Sequence, residues 1–205
     1  MKILSVNRGT AESVPGKRYK SGIWKTAVSG TVMVDEQGLV GDAICNRKHH
    51  GGPDQAVYIE GGETLKWWEA ELGRPLEPGA FGENLSIAAL DNRELAAGDT
   101  LTIGDVILEA TSPRIPCATF AIRMQDPTFP KRYTKAARPG AYFRVVVGGM
   151  LEAGQPVSFI PYGGERVTMA EMMEQFGRRL EGETLQRYLA APIGARYRQM
   201  LLEKS

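Results

Sequence analysis

Short apolar runs, separated by glycine, proline and other turn residues, recur along roughly the first 160 residues of the chain. Such runs are typical of β-strands in a barrel or a sandwich, because each turn lets the chain reverse after a few residues. Ile103-Gly104-Asp105-Val106 predicts a tight hairpin with Gly-Asp at its centre. The pattern predicts eight strands: Lys2–Asn7, Thr31–Val34, Ala56–Ile59, Leu85–Ile87, Thr100–Ile103, Val106–Ala110, Tyr142–Val147 and Val157–Ile160.

Helical spacing interrupts this β-rich region once. Residues Glu63–Leu72 predict a helix, and Gly73 stands where a glycine commonly ends one. The proline-containing stretch Gln125–Pro139 predicts either a lid or a second short helix. Sequence alone leaves these two alternatives open.

The pattern changes near residue 165, where a helical period replaces the short apolar runs. Thr168 and Glu171 have the spacing of a capping box. Two further helices are expected at about Glu183–Leu189 and Ile193–Glu203. Four apolar residues follow the capping box at helical spacing: Met169, Met173, Phe176 and Leu180.

Composition fits one globular protein that is mainly β with helices. The chain has 205 residues, of which 42% are hydrophobic and 24% charged, so it can bury a core without disulfides. We predict two units, a mainly β domain over residues 1–162 and a three-helix appendage over residues 165–205.

Charge and cysteine content exclude several function classes. The 25 basic and 24 acidic residues give a net charge of +1, which argues against a nucleic-acid partner. No apolar run approaches the ~20 residues of a membrane helix, and the first residues lack the apolar core of a signal peptide. Two distant cysteines are too few for a disulfide framework or a self-contained metal site. We therefore expect a cytoplasmic protein without a membrane partner.

The first candidate site is rich in glycine and basic residues. Gly38-Leu39-Val40-Gly41-Asp42 is followed by Asn46–Asp54, which contains both histidines of the chain. Glycine amides can form an anion-binding nest. Arg47, Lys48 and His50 would add positive or hydrogen-bonding groups beside it. The alternative is a glycine turn next to a solvated run of charges.

Two other stretches contain candidate chemistry. In Pro78–Leu85, the Asn84 side chain can donate hydrogen bonds to a heterocycle and accept them from it. Taken by itself, this segment is better explained as a simple turn into a strand. In Ser112–Cys117, two prolines stiffen the loop and Arg114 favours the thiolate form of Cys117. A thiolate is a nucleophile and a soft metal ligand. The alternative is that Cys117 is a small buried apolar residue.

Together these stretches resemble the MOSC domain family, named for the C-terminal part of molybdenum cofactor sulfurases. The helices after residue 165 resemble the three-helix appendage of its stand-alone bacterial YiiM-type members. The chain departs from the usual pattern at Ile44 and Asn46, where members often have Gln and Asp. The matching segments, in the family's order, are Ser21–Val28, Gly38–Asp42, His50–Asp54 with Ala56–Tyr58, Gly79–Leu85, Pro113–Cys117 and Gly140–Val145.

The resemblance implies a β-barrel that binds a pterin-based molybdenum cofactor, with a cysteine sulfur as ligand to the metal. Carried over to this chain, the metal ligand is Cys117, and the catalytic residues are Cys117 and His50. The residues implied to hold the pterin and its phosphate are Lys25, His50, Asn84 and Arg114, with Arg47, Lys48 and Arg144 as weaker candidates.

The resemblance also implies an activity, the reduction of N-hydroxylated small molecules such as hydroxylamino purines to amines. The electrons would come from an external flavoprotein or other reductase, because two cysteines cannot hold an electron-transfer cluster. His50, Asp54 and Glu83 are alternative proton relays. The helical methionines would dock the reductase or a second subunit in a homodimer, or simply pack on the barrel. Two other functions stay open: a non-catalytic carrier of cofactor or sulfur, and a metal-free nucleotide- or phosphate-binding module.

Overall fold

The computed structural model describes residues 1–46 and 51–204. Within these residues the strands are β1 (Lys2–Gly9), β2 (Glu12–Ser13), β3 (Lys20–Ser21), β4 (Lys25–Ala27), β5 (Val32–Asp35), β6 (Gly38–Leu39), β7 (Val57–Gly61), β8 (Leu85–Ala88), β9 (Thr100–Ile103), β10 (Val106–Pro113), β11 (Ala141–Val147), β12 (Gly149–Leu151) and β13 (Ser158–Ile160). The helices are α1 (Gly62–Leu72), α2 (Ala118–Met124), α3 (Phe129–Ala136), α4 (Met169–Gln175), α5 (Gly182–Ala190) and α6 (Ala195–Leu202).

Eight of the strands form one mixed sheet in the order β13-β9-β10-β11-β7-β8-β1-β4. Strands β7 and β8 are parallel and are joined through α1, whereas the other neighbours in this sheet are antiparallel. The Ile3 amide donates to the Gln155 carbonyl (3.0 Å), and the Gly154 amide donates to the Ile3 carbonyl (2.8 Å). These bonds connect β1 to the segment just before β13, so the sheet curves until its two sides meet.

The predicted β-rich fold with C-terminal helices is confirmed. Each of the eight predicted strands overlaps an observed strand, and Ile103 pairs with Val106 across the predicted hairpin. Gly73 follows α1 at φ +64°, the left-handed conformation that ends helices. The Thr168 hydroxyl accepts a hydrogen bond from the Glu171 amide (3.2 Å), as the capping spacing predicts.

The stretch after Cys117 is more helical than the sequence pattern indicated. Part of Gln125–Pro139 forms α3, which resolves the earlier alternatives in favour of a short helix. Helix α2 was not predicted, because its seven residues are too few to display a helical period. None of the helices in the described part of the chain has both the length and the hydrophobicity needed to cross a membrane.

The core consists of two clusters. The larger one joins sheet residues such as Ile59 and Leu101 to residues of the C-terminal helices, including Met169, Met172 and Tyr197. The predicted barrel and appendage therefore share one core. Met169, Met172 and Met173 are all buried, so they pack inside the protein and do not form a docking surface. The smaller cluster is aromatic and lies among α1, α2 and α3: Trp68, Phe81, Phe120, Phe129 and Tyr133 are its rings.

Candidate functional site

A cavity of about 720 Å³ lies where the strands, the loop before α2 and the C-terminal helices meet. This volume is in the range of small-molecule binding sites. The lining residues with ionisable or nucleophilic groups that matter most here are Lys25, Asp42, Cys45, Tyr58, Arg114 and Cys117. Four residues predicted for the site from separate segments, Lys25, Asn84, Arg114 and Cys117, are brought together on this cavity.

The loop between β10 and α2 holds Arg114 and Cys117 on a fixed backbone. The Arg114 amide donates to the Gly140 carbonyl (2.8 Å), which continues the pairing of β10 with β11. The Cys117 carbonyl accepts from the amides of Phe120 (3.0 Å) and Ala121 (3.2 Å), so Cys117 begins α2. Its side chain is partly exposed and lines the cavity. The thiol is therefore accessible to a ligand in the cavity.

Arg114 is a buried cation with no acidic partner among residues 1–46 and 51–204. Only 6% of its surface is exposed, and its guanidinium carbon lies 3.4 Å from the centroid of the Phe120 ring. Among the described residues, its Nη1 atom has no hydrogen-bond partner, and neither has the buried hydroxyl of Ser112, another lining residue. An unpaired buried charge is unfavourable, so this wall of the cavity favours an anionic ligand.

Lys25 differs, because its charge is neutralised within the protein. It is 7% exposed and forms a buried ion pair with Asp42. Burial lowers the pKa of Lys25, and the nearby Asp42 carboxylate opposes that effect. Asp42 also accepts hydrogen bonds from the Gly9 amide (2.8 Å) and from Asn84 Nδ2 (2.9 Å). Lys25, Asp42 and Asn84 thus satisfy one another's hydrogen bonds, and we call this part of the cavity the saturated corner.

Asn84 is held in place by the same network. Its Oδ1 accepts from the Tyr58 amide (3.1 Å), so most of its hydrogen-bonding capacity is used inside the protein. The turn before it packs tightly on β4: a Cβ atom at Gly79, where φ is +78°, would lie 2.4 Å from the Lys25 carbonyl oxygen. Glycine is required there, and it fixes Asn84 beside Lys25 and Asp42.

One of the weaker candidates, Arg144, lies away from the described cavity wall. Arg144 does not line the cavity; it pairs with Asp54 (3.1 Å) and Glu109 (3.5 Å) and donates to the Pro192 carbonyl (3.3 Å). Its role in the structure is to tie the sheet to the segment before α6. The predictions for Arg47, Lys48 and His50 fall outside the described residues.

The two carboxylates suggested as proton relays are engaged elsewhere. Asp54 accepts from the Ala195 amide (2.7 Å) in addition to pairing with Arg144. Glu83 accepts from the amides of Gly79 (2.8 Å) and Phe81 (3.0 Å), which stabilises the glycine turn. Neither residue lines the cavity.

Sequence reasoning missed a buried carboxylate behind the cavity, Glu60. It is fully buried, and its carboxylate accepts hydrogen bonds from the hydroxyls of Tyr58 and Tyr133 and from Asn92 Nδ2. Burial raises the pKa of Glu60 to about 7, although the three hydrogen bonds act in the opposite direction. The signal in the sequence was a glutamate at the end of the apolar run that forms β7.

Sequence reasoning also missed the contribution of the C-terminal helices to the cavity wall. Phe176, Tyr197 and Met200 line it with apolar surface. The exposed thiol of Cys45 lies on the same wall. Within residues 1–46 and 51–204, no three His, Cys, Asp or Glu side chains converge to hold a metal ion. A metal bound at the described wall would therefore have Cys117 as its protein ligand there. Its other ligands would have to come from a cofactor that carries the metal.

Comparisons with known proteins agree with this fold. The sequence model of the MOSC domain matches residues 46–158. An uncharacterized Bacillus subtilis protein, YflK, is 29% identical over 180 residues, which cover 87% of this chain and 79% of that protein. Protein YiiM of Escherichia coli is 29% identical over 160 residues, covering 77% and 71% of the two chains.

Two further similarities bear on function and fold. A Gibberella moniliformis protein named Reductase is 32% identical over 155 residues, which are 72% of this chain but 27% of that protein. The crystal structure of YiiM from Geobacillus stearothermophilus superposes with a TM-score of 0.81 at 26% identity, covering 99% of this chain and 98% of the other. The resemblance seen in the sequence motifs is thus confirmed, and the chain belongs to the MOSC domain family.

Proposed function

We propose that this protein is a molybdenum-cofactor-dependent reductase of N-hydroxylated compounds, supplied with electrons by a separate reductase. The observation that carries the proposal is the buried guanidinium of Arg114, whose Nη1 has no hydrogen-bond partner among the described residues and which lies on the same cavity wall as the Cys117 thiol. Membership of the MOSC family supports the cofactor class. A relative named Reductase supports the reaction class.

The residues of the described wall fit such a cofactor. Arg114 Nη1 and the Ser112 hydroxyl are buried donors with no partner in the described part of the chain, as expected where a phosphate or another anion binds. Cys117 offers the soft sulfur that a metal of this class accepts. The cavity volume suits a ligand of pterin size together with a small substrate.

The reaction needs two electrons and two protons: R–NH–OH + 2e⁻ + 2H⁺ gives R–NH₂ + H₂O. The bound cofactor supplies the two-electron chemistry that removes the oxygen. The chain orients the reactants, with Cys117 as the protein ligand to the metal and Arg114 as the cation that neutralises the anionic part of the cofactor. Lys25 and Asp42 neutralise each other and so add no net charge to their part of the cavity. His50 stays a predicted catalytic and cofactor-binding residue.

The electron donor is proposed as a partner of the flavoprotein class. The chain has two cysteines, whereas an iron–sulfur cluster held by cysteines needs four. Electrons must therefore come from outside the chain, and a flavin can pass them on in the required pairs.

The test is to produce the protein in a host that makes the cofactor and to measure molybdenum and pterin in wild type and Cys117→Ala. We expect Cys117→Ala to lose molybdenum while pterin is retained. Cys45→Ala is the matched control, because Cys45 lines the same cavity and should keep its metal. If Cys117→Ala retains both metal and activity, the site assignment is wrong.

Turnover separates an enzyme from a carrier. Loaded protein with a chemical reductant should convert a hydroxylamino purine to the amine. A protein that binds the cofactor but shows no turnover is a carrier of cofactor or sulfur. A protein that binds phosphate compounds and never holds metal is a simple anion-binding module.

A further inference from the structure

Glu60 and Tyr58 form a hydrogen-bonded path that leads from the cavity wall into the protein. They are two residues apart on β7, so their side chains lie on the same face of the strand. Tyr58 lines the cavity, and its hydroxyl donates a hydrogen bond to Glu60 Oε1. Tyr58 is thus positioned between the cavity and a carboxyl group that solvent does not reach.

The side chains around Glu60 donate hydrogen bonds to its carboxyl group but carry no positive charge. From α3, the Tyr133 hydroxyl donates to Oε1 (3.0 Å) and itself accepts from the Gly140 amide (2.8 Å). Asn92 Nδ2 donates to Oε2. The other charged groups nearby are the Glu83 carboxylate, which repels a second negative charge, and Arg114, which faces the rings of Tyr58 (5.7 Å) and Tyr133 (5.8 Å).

This environment keeps the protonated and ionised forms of Glu60 close in free energy. Burial disfavours the carboxylate, whereas three donors stabilise it, and the pKa of Glu60 is raised to about 7 as the net result. A group that changes protonation near neutral pH is suited to proton transfer. Glu83 is also fully buried, and burial raises its pKa. Its carboxylate is held by the backbone amides of the glycine turn, whereas Glu60 is held by side chains, one of which, Tyr58, lines the cavity.

We propose that Glu60 stores a proton for the reaction in the cavity and that the Tyr58 hydroxyl passes this proton on. The proposal rests on the reductase function, which consumes two protons per turnover. When Glu60 is protonated, its O–H donates to the Tyr58 oxygen, the reverse of the hydrogen bond that the carboxylate accepts from Tyr58. In the transfer, the Tyr58 O–H bond breaks as its proton goes to an acceptor in the cavity, and the Glu60 proton moves to the Tyr58 oxygen. Glu60 is left as a carboxylate that Tyr58, Tyr133 and Asn92 stabilise. Solvent reprotonates the pair through the cavity after the product leaves.

In this scheme Tyr58 is the group that faces the reactants, and Glu60 is a positioning residue that acts through it. The sequence motif Ala56-Val57-Tyr58 was noted for its resemblance alone, and Glu60 was not singled out. The inference therefore depends on the burial and the hydrogen bonds of Glu60.

The first test uses infrared spectroscopy on the cofactor-free protein. Wild type should show the carbonyl band of a buried carboxylic acid that fades as the pH rises through about 7, and Glu60→Gln should lack this band. Tyr58→Phe should keep the band and move its midpoint to higher pH, because the Tyr58 hydrogen bond lowers the pKa of Glu60. Glu83→Gln is the control for another buried carboxylate and should retain the band. Absence of the band from wild type overturns the proposal.

The second test measures turnover against pH with cofactor-loaded protein and a chemical reductant. Glu60→Gln and Tyr58→Phe should lower kcat roughly tenfold or more with little change in KM, since Glu60 does not contact substrate. In wild type the rate should fall as the pH rises above about 7, and Glu60→Gln should lose this dependence. Tyr19→Phe, at a cavity tyrosine that bonds instead to Thr119 (3.0 Å), should keep it.

The outcomes distinguish the two levels of the proposal. If wild type turns over and Glu60→Gln retains the same pH profile, the proton store is wrong and the reductase function stands. If loaded wild type does not reduce any N-hydroxylated compound, the function is wrong and the proton store falls with it.

Discussion

Two buried cations line one cavity, and they differ in what surrounds them. Lys25 is paired with Asp42, which also binds the Gly9 amide and Asn84. Arg114 is buried to the same extent, yet it has no acidic partner in the described part of the chain and leaves Nη1 without a hydrogen bond. The polar groups around Lys25 bond to one another, whereas the corner around Arg114 is open, and it is there that we propose that a ligand binds.

Aromatic rings partly stabilise the buried charge of Arg114 in the open corner. The Arg114 guanidinium lies on the face of Phe120 and within 6 Å of the ring centroids of Tyr58 and Tyr133. Such cation–π contacts contribute about 0.5–2 kcal/mol each. The comparison shows that burial alone does not identify a charged group as a ligand-binding group. What distinguishes Arg114 from Lys25 is that it lacks a counter-charge in the described part of the chain.

The largest expected effect is on stability at the saturated corner. Lys25→Met should lower the free energy of unfolding by about 3 kcal/mol, because it leaves the buried Asp42 carboxylate without its cation. The measurement is denaturant unfolding at neutral pH. Lys25→Met combined with Asp42→Asn should recover part of the loss. A loss of less than about 1 kcal/mol in the single variant would show that the pair is not structural.

A second effect concerns the dependence of stability on pH near the open corner. The pKa of Glu60 is about 7 in the folded protein and has its ordinary value of 4.5 in the unfolded chain. Between pH 4.5 and pH 7 the folded protein binds a proton at Glu60 that the unfolded chain does not bind. The stabilisation of the folded state by this proton is complete below pH 4.5 and is lost as the pH rises through 7. The loss is about 3 kcal/mol or less.

The check is to compare unfolding free energies of wild type and Glu60→Gln from about pH 5 to about pH 8, which covers most of the range between the two pKa values of 4.5 and about 7 and extends about one unit above it. The difference between the two proteins should change across this range and become constant above it. A difference that does not vary with pH would mean that Glu60 is ionised throughout.

The third effect is on ligand binding at Arg114. Arg114→Met should weaken binding of the phosphate-bearing pterin about 100-fold, because charge-assisted hydrogen bonds to a buried anion are lost. The same change should leave the ligand-free protein as stable as before or more stable, since it removes an unpaired buried charge. Calorimetric titration and denaturant unfolding measure the two quantities.

Arg114→Lys is the matched variant for this position. It keeps the charge but loses the planar group that lies on Phe120, so we expect intermediate binding. If Arg114→Met instead destabilises the ligand-free protein by several kcal/mol with unchanged binding, the two corners are alike and the comparison is wrong.

Much of the fold was predictable from local patterns. The strands were found because each is a short apolar run between turn residues, and α1 because Gly73 ends it in the left-handed conformation. Helix α2 was not, since seven residues give no helical period. That the helical methionines pack on the sheet was one of two alternatives, and the choice between them depends on contacts of Met172 and Tyr197 with distant strands.

Local motifs identified several residues that line the cavity, but not the state in which each of them is held. Lys25, Asn84, Arg114 and Cys117 were identified from motifs, and they meet at the cavity. Which of the two cations is neutralised depends on Asp42 and was not visible in local sequence. Arg144 looked like a cofactor ligand for the same reason, since its partner Asp54 is far away along the chain.

The smallest expected effect comes from the apolar part of the cavity wall. Phe176, at the end of α4, is 46% exposed and lies 6.2 Å from the Tyr197 ring, centroid to centroid. Phe176→Ala should raise KM for aromatic N-hydroxylated substrates about 3–10-fold, the contribution of one aromatic contact. Because a small aliphatic hydroxylamine does not reach this surface, its KM should not change.

Ile160→Ala is the control for Phe176, because Ile160 is 56% exposed and does not line the cavity. It should leave KM unchanged for both substrate classes. If only the aromatic substrates are affected by Phe176→Ala, the cavity has an apolar surface in addition to the saturated and open corners, and this surface selects substrates by shape. Equal changes in KM for aromatic and aliphatic substrates would instead mean that Phe176 only holds α4 in place, and that selection lies elsewhere on the wall.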